Sequence, residues 1–514
     1  MKRWILAPIA MVVCAFTLSA APPTDNPAAA YKIAWVDALP WKNVASIADF
    51  PGDALPARID VAQKALTAKG GGVLFFPAGT YAFTDHVRIG NGIIWRGETP
   101  KVASAKDDGY VPPTTFEFPQ YKPKLEGEGT PIDTAFKGIY VEKPESDSNC
   151  GLVNIAINRG HVDFKEAEGY KGGRNRLIFG CVLKNAAVAS SAVPDLKIGQ
   201  HAWQRFTERH HPAVRIHAEE NILAANNRLP KSGEDNFLQK GYIITGKKKE
   251  DKVAVEKGVE FDYDNRAGFY INDYGIGTPG GGDPSGTPDS HPHGFRKGIV
   301  IRDNYIFATG RCPISFTGDG TICSFNTIRI PKGIWRPTAT GTAMTFGSST
   351  NDNRAVQMRG YRWTLEGNDY EVFSNMCYDN TYRINDGEGL MHEGHVNSGI
   401  RDSKLIDNKG NSYLSIFHCG DINGLQIKGN EILTNGGISA IYVVSHKSRD
   451  TLKHECKNVV IENNLTGGGG ITLRGEPAEG NIIRNNKHTG AGGTLSNKAN
   501  AVLEKNEGYE LKDK

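Results

Sequence analysis

Polar and apolar positions alternate along this chain in short runs, and one phrase keeps returning: an apolar residue, two residues, an asparagine, one residue and another apolar residue. The segment Gly298–Ile328 holds two copies, Ile301 with Asn304 and Ile306, then Cys323 with Asn326 and Ile328. Further copies centre on Asn408, Asn430, Asn464, Asn486 and Asn506, at intervals of about twenty residues that an insertion lengthens between Asn430 and Asn464. Between the asparagines lie short β-branched runs and Gly/Asn/Thr turns such as Thr434–Gly437, with no segment of helix length. Three short strands per repeat predict a β-helix, in which parallel strands pair with the coils above and below while the inward half of each alternating run fills the interior. The asparagine belongs at the corner between the second and third strands, where it tolerates left-handed geometry and bonds to its copy one coil away. Its role is structural.

Ahead of the repeats, Ile59, Ala62, Ala65 and Leu66 fall at helical spacing within Ala57–Lys69, and Gly70-Gly71-Gly72 ends the pattern. A single amphipathic helix at this place covers the open edge of the first coil, which would otherwise recruit other chains. The helix is followed by Gly70-Gly71-Gly72-Val73-Leu74-Phe75-Phe76-Pro77-Ala78-Gly79-Thr80-Tyr81. Here the sequence resembles the opening of the pectate-lyase superfamily, and with the asparagine phrases the resemblance covers most of Ala57–Asn506. It departs from the commonest form of that opening, an acidic Asp-Asp-Thr turn, since Pro51–Arg58 carries only Asp53. The resemblance implies an all-β fold, a right-handed parallel β-helix with an N-terminal capping helix, in which residues 57–514 form one domain after an irregular segment, 22–56. Less regular strands are expected at Gly138–Lys143, Gly151–Asn158 and Ala213–His217, and Trp35 and Trp41 are expected to anchor the irregular segment. Two Gly/Pro-rich excursions, 274–295 and 331–356, cannot enter a solenoid and stand as walls beside it.

The termini and composition narrow the setting. Met1-Lys2-Arg3, the apolar run Trp4–Leu18 and the small residues Ser19-Ala20-Ala21 read as a secretory signal over residues 1–21. A valine, Val13, stands before Cys14 where a lipoprotein signal needs a small residue. No later stretch is apolar for long enough to span a bilayer, so no membrane attachment is expected once the signal is removed, and the protein is expected in the periplasm or outside the cell. The formal charge of +3 includes Lys2 and Arg3, so the remaining chain is nearly neutral, which argues against a nucleic-acid partner. Of the eight cysteines, Cys14 lies in the signal; Cys150, Cys181, Cys312, Cys323, Cys377, Cys419 and Cys456 are dispersed and lack CxxC spacing. They read as buried thiols, with Cys181 in an asparagine place, rather than as a zinc site or disulfide framework. A monomer is expected.

If each asparagine marks the second corner, the runs Pro313–Asp319, Gly387–His395, Tyr413–Gly420, Ile438–Lys447 and Ile471–Glu476 share the first sheet. In enzymes of the superfamily that sheet floors the substrate groove, so the resemblance directs attention to its polar residues. Glu388, Glu393, His395, His418, His446, Lys447 and Arg474 are the catalytic candidates. His291 and His293 on the first excursion, with Phe417 and Tyr442, are candidate sugar contacts. The His392/His395 pair lacks the HExxH spacing of a zincin and remains a weak metal candidate. By resemblance the substrate is a polysaccharide. A lyase acting on an acidic glycan needs a base, from His418, His446 or Lys447, and a cation against the uronate carboxylate, either Arg474 or a calcium ion on Asp319, Glu393 and Asp421. A glycoside hydrolase would instead take two carboxylates from Glu388, Glu393 and Asp421. A non-catalytic glycan-binding or surface β-helix would favour exposed aromatic platforms, for which only Phe417 and Tyr442 qualify. His217, Asp273 and Lys143 are candidates to continue the polar row toward the amino terminus.

Overall fold

The structure, a computed structural model, describes residues 21–119, 137–164, 173–184, 213–216, 218, 220–230, 241–244, 252–255, 269–271, 297–307, 313–330, 354–378, 381–386, 388–393, 399–417, 420–435, 439–445, 453–490 and 492–512. It is a solenoid of parallel sheets. The first sheet runs from Val87–Ile89 through Gly138–Val141, His161–Phe164 and Val214–Ile216 to Ile471–Arg474, Gly493–Lys498 and Tyr509–Lys512. The second runs from Val44–Ser46 and Gly72–Phe76 to Val502–Glu504, and the third from Gly79–Ala82 to Lys487–Thr489. Each coil pairs in parallel with its neighbours, and parallel crossovers of this kind wind right-handed, so the fold is the expected right-handed parallel β-helix.

Alternation fills the interior. Val162, Val214, Ile314, Val356, Leu414, Ile441 and Ile471 of the first sheet and Leu152, Ile178, Ile301, Leu365 and Ile427 of the second are buried in one core. Cys150, Cys181, Cys323 and Cys456 are free and buried. Burial pushes the Cys150 thiol up to about 11, so these are inert packing residues.

The asparagines do form a ladder. Asn227, Asn304, Asn326, Asn368, Asn408, Asn430, Asn464, Asn486 and Asn506 are consecutive: each Nδ2 donates to the Oδ1 of the next, at 2.9–3.0 Å. Cys181 heads the column, its backbone N–H donating to Asn227 Oδ1. One expectation needs correction. The left-handed residue at the corner precedes the ladder asparagine, as at Asp303, Phe325, Asp407, Asn463, Asn485 and Lys505, while the ladder asparagines keep negative φ. What the ladder uses is the amide's double capacity as donor and acceptor, since each Oδ1 also accepts the backbone N–H one coil before.

The helix spans Leu55–Thr67 and lays Ile59, Ala62 and Leu66 on the first coil. Gln63 finishes the cap: its Oε1 accepts from Gly90 N–H and Trp95 Nε1, and its Nε2 donates to the Arg88 carbonyl. The irregular segment has a second task that the sequence did not disclose. Ala28, Val36, Leu39 and Trp41 cover an apolar outer face of the second sheet made by Val73, Ile94, Val153, Leu177, Phe179 and Leu223, with Trp35 packed at its margin. Gly151–Asn158, expected as one strand, turns a corner at Asn154 and Ile155 and contributes Cys150–Val153 to the second sheet and Ala156–Asn158 to the third. The excursions lie outside the described residues except where the second one ends, because Arg354–Tyr361 is a strand of the first sheet between Ile314–Asp319 and Glu388–Glu393. Among the described residues no helix is long and apolar enough to cross a membrane.

Candidate functional site

The runs assigned to the first sheet from the asparagine phase do share it, in the order Ile314–Asp319, Arg354–Tyr361, Glu388–Glu393, Leu414–Phe417, Ile441–Val444 and Ile471–Arg474. Register sorts their residues. His392 pairs with Met358 and Ile416. Glu393 pairs with Phe417, and Phe417 with Val444, whose further partner Arg474 is exposed beside Lys498. Glu388 pairs with Arg354 at the start of the same strand. Tyr442 is half-buried in the row of Ser415, Thr472 and Ser496.

Asp319 is nearly buried and held by Arg362, whose Nε donates to Oδ1 at 2.7 Å and whose Nη2 bonds Oδ2. Asp421 is exposed; its Oδ1 accepts the Glu455 N–H and lies 3.4 Å from His454 Nδ1. His291, His293, His395, His418, His446 and Lys447 lie outside the described residues. Among the described residues no group of three or more His, Cys, Asp or Glu side chains is arranged to hold a metal ion.

A more concentrated cluster stands at the other end of the same sheet. The row of Tyr442 continues through Ser415, Met391, Gln357 and Ser315 to Tyr270, Arg215, Asp163, Tyr140 and Arg88. Its last four members each sit between two core residues of their own strand, as Tyr140 does between Ile139 and Val141 and Asp163 between Val162 and Phe164, and alternation therefore turns them outward. The register partners on four adjacent coils then bring Arg88, Tyr140, Asp163 and Arg215 side by side over roughly 14 Å, three ladder steps. Lys143 is not part of this row; it lies beyond the strand, in a turn where its N–H donates to Asp147 Oδ2. His217 and Asp273 fall outside the described residues.

Tyr140 is the centre of the cluster. Its Oη is 2.8 Å from His161 Nε2. Both His86 and His161 stand edge-on to its ring, with centroids at 4.8 and 5.4 Å and interplanar angles of 86° and 84°. The Arg88 guanidinium lies 5.8 Å from the ring centre. Next along the row, Asp163 is buried and held by two bonds from Arg215, one from Nε at 2.9 Å and one from Nη2. Lys137 donates to Asp85 Oδ1 at 2.7 Å, and Asp85 accepts the His86 N–H. Burial is the main reason the His86 pKa lies below its ordinary value; Lys137 and, less strongly, Arg88 push it the same way against Asp85.

Chemically the cluster offers a phenol and an imidazole sharing a hydrogen bond, beside cations that can face a carboxylate. Its carboxylates are already paired. The sequence carried a usable signal for it, because Gly138-Ile-Tyr-Val, His161-Val-Asp-Phe and Val214-Arg-Ile each place one polar residue between two core residues. The asparagine phase that would have aligned these three runs begins only at Asn227, on the coil of Val214–Ile216 and two coils after that of Gly138–Val141.

No family model matches the sequence, and no curated protein does. Among solved structures, the A-module of the mannuronan C-5 epimerase AlgE6 from Azotobacter vinelandii aligns at 10% identity over 91% of this chain and 99% of that one, with a TM-score of 0.38. PfbA, a surface adhesin of Streptococcus pneumoniae, aligns at 12% identity over 91% and 90%, with a TM-score of 0.47. The tailspike protein of E. coli bacteriophage HK620, in complex with a pentasaccharide, aligns at 11% identity over 88% and 71%, with a TM-score of 0.45. All three are distant likenesses in the course of the chain.

Proposed function

We propose that this protein is an exported enzyme acting on an acidic, uronate-containing polysaccharide, and that it cleaves it by β-elimination at the Tyr140 cluster. One observation carries the reading: a tyrosine–histidine hydrogen bond of 2.8 Å on the outward face of the first sheet, between the cation Arg88 and the Asp163–Arg215 pair. The proton beside a uronate carboxylate is weakly acidic, and pairing that carboxylate with a guanidinium raises its acidity. In this reading Arg88 takes the carboxylate. The Tyr140–His161 pair takes the ring proton, the electron pair of the C–H bond becomes the new double bond, and the glycosidic C–O bond breaks as its oxygen takes a proton from the same pair. Asp163, the neighbour of Tyr140 on the other side, is neutralised by Arg215, so Arg88 is the cation directly beside Tyr140.

A glycoside hydrolase would need two available carboxylates facing one bond. Here the near ones, Asp163 and Asp85, are paired with Arg215 and Lys137, which favours the lyase. Of the residues expected to hold calcium, Asp319, Glu393 and Asp421, Asp319 is already held by Arg362, and calcium has no step in this reading.

The test is incubation with a panel of acidic polysaccharides, with calcium and with chelator, following the ultraviolet absorbance of unsaturated uronate ends. The expected result is a rise in absorbance on at least one substrate, reduced by about two to four orders of magnitude in Tyr140→Phe. New reducing ends without absorbance would replace the lyase by a hydrolase. Solvent deuterium entering the polymer without cleavage would mean that the proton is removed and returned, an epimerisation.

A further inference from the structure

His86 has no part in the proton transfer just described, yet it is built into the cluster. The register pairs Val87 with Ile139 and Gly138 with His161, which sets His86, Gly138 and His161 abreast on three successive coils. Gly138 is the gap between the two imidazoles. A Cβ there would overlap the His161 carbonyl oxygen and stand 3.0 Å from His161 Nδ1. With no side chain at that position, both rings close edge-on upon Tyr140 from opposite sides. The Nδ1 of His86 is buried without a hydrogen-bond partner among the described residues. A buried ring nitrogen of this kind tolerates the neutral imidazole better than the imidazolium.

We propose that His86 is a positioning residue for Tyr140 and that its protonation switches the site off on the acid side. The inference rests on the lyase reading for the identity of the reacting pair, and on the geometry of three coils for the rest. Neutral His86 fixes the tilt of the Tyr140 ring and thereby the contact of its hydroxyl with His161. The groups facing His86 are Asp85 and Lys137 at its base, Arg88 two residues on, and Tyr140 across the sheet. Of these, Lys137 and Arg88 oppose a further positive charge, and Asp85 is already engaged by Lys137. Protonation of His86 therefore drives its ring out of the sandwich, and Tyr140 loses one of its two supports. The direction follows from burial: the folded-state pKa lies below the ordinary histidine value, so the neutral ring prevails at neutral pH and is lost as pH falls through that lowered value.

The experiment joins kinetics to a structural readout that needs no turnover. His86→Ala is expected to lower kcat about tenfold with KM changed less than about twofold, since His86 does not touch the substrate. His86→Phe restores an edge-on ring that cannot titrate; it is expected to recover part of that loss and to remove the acid-side inflection that His86 causes. In parallel, nuclear magnetic resonance of the protein with 15N-labelled histidine follows His161 Nε2 through a pH titration. A step in the His161 signal is expected at the pH where His86 titrates, and it is absent in His86→Phe. If no polysaccharide is turned over, the lyase reading fails while the His161 signal still decides the coupling. An unchanged His161 titration in His86→Phe, with an unchanged acid limb wherever activity is measurable, would overturn the proposal.

Discussion

At the scale of single residues, position in the alternation decides what a side chain can do. Tyr140, Asp163 and Arg215 are each flanked by residues of the core, and this is why a buried aspartate and a half-buried tyrosine reach the outer face at all. Buried pairs of this kind hold geometry more than they add stability. Taking two charges out of water costs several kcal/mol, and the mutual attraction offsets that only when both partners stay. Removing one is the damaging change. Asp163→Ala leaves Arg215 without its bidentate carboxylate, and an unfolding free energy lowered by about 3 kcal/mol is expected in urea melts, whereas Asp85→Ala, at an exposed pair, should cost less than about 1 kcal/mol. Equal effects at the two sites would mean that Asp163 is not a structural anchor of the row.

At the scale of elements, the asparagine ladder and the ion pairs that parallel it tie coil to coil. Asn430 donates through Nδ2 to Asn464 Oδ1 and to the Leu405 carbonyl, and its Oδ1 accepts from both the N–H and the Nδ2 of Asn408. Replacing it by alanine strands several buried groups at once, so a loss of about 3 kcal/mol or more is expected, measured by urea unfolding. Asn506, at the end of the column and partly exposed, keeps its bonds with Asn486 and the Ile483 carbonyl but has no ladder asparagine beyond it among the described residues, and Asn506→Ala should cost about 1 kcal/mol. An end asparagine as costly as the central one would contradict this account. A pH prediction belongs to the same scale. Glu462 has its pKa lowered chiefly by its hydrogen bond to Lys428, and further by Arg484, against the opposing effect of burial. A lowered folded-state pKa means that the unfolded chain binds the proton more readily. The stability from this pair is therefore complete above the ordinary glutamate range and disappears as pH falls through the lowered value. Melting temperatures of the protein and of Glu462→Gln, recorded from neutral to acid pH, should differ most at neutral pH and converge in acid.

At the scale of the whole molecule, a solenoid has two problems, its ends and any apolar outer face. The helix Leu55–Thr67 solves the first at the amino-terminal end, and Glu504, Glu510 and Lys512 put charge on the last described strands. The segment 21–43 solves the second by covering Val73, Ile94, Val153, Leu177, Phe179 and Leu223. Asp25 helps to fix this segment, since its carbonyl and carboxylate both bond the fully buried guanidinium of Arg96. Deleting residues 21–43 should expose a continuous apolar strip. Increased binding of a hydrophobic dye and a lower melting temperature are the expected results; a truncated protein that melts like the full chain and binds no dye would show that the strip finds other cover.

What the sequence determined alone was whatever repeats locally. The phrase around Asn304, Asn326, Asn408, Asn430, Asn464, Asn486 and Asn506 specifies the coil, its corner and its parallel stacking, because alternation and side-chain amide chemistry act within about twenty residues. The spacing of those asparagines is also enough to assign Ile314–Asp319, Glu388–Glu393, Leu414–Phe417, Ile441–Val444 and Ile471–Arg474 to one sheet. Register between coils was decided by the tertiary structure. It pairs His392 with Met358 and Ile416, sets Glu388 opposite Arg354, and brings Arg88, Tyr140, Asp163 and Arg215 together from coils whose lengths differ. Insertions of unequal length erase the sequence period while the main-chain hydrogen bonds preserve the spatial one, so adjacency across coils is a property of the ladder and not of any stretch of chain.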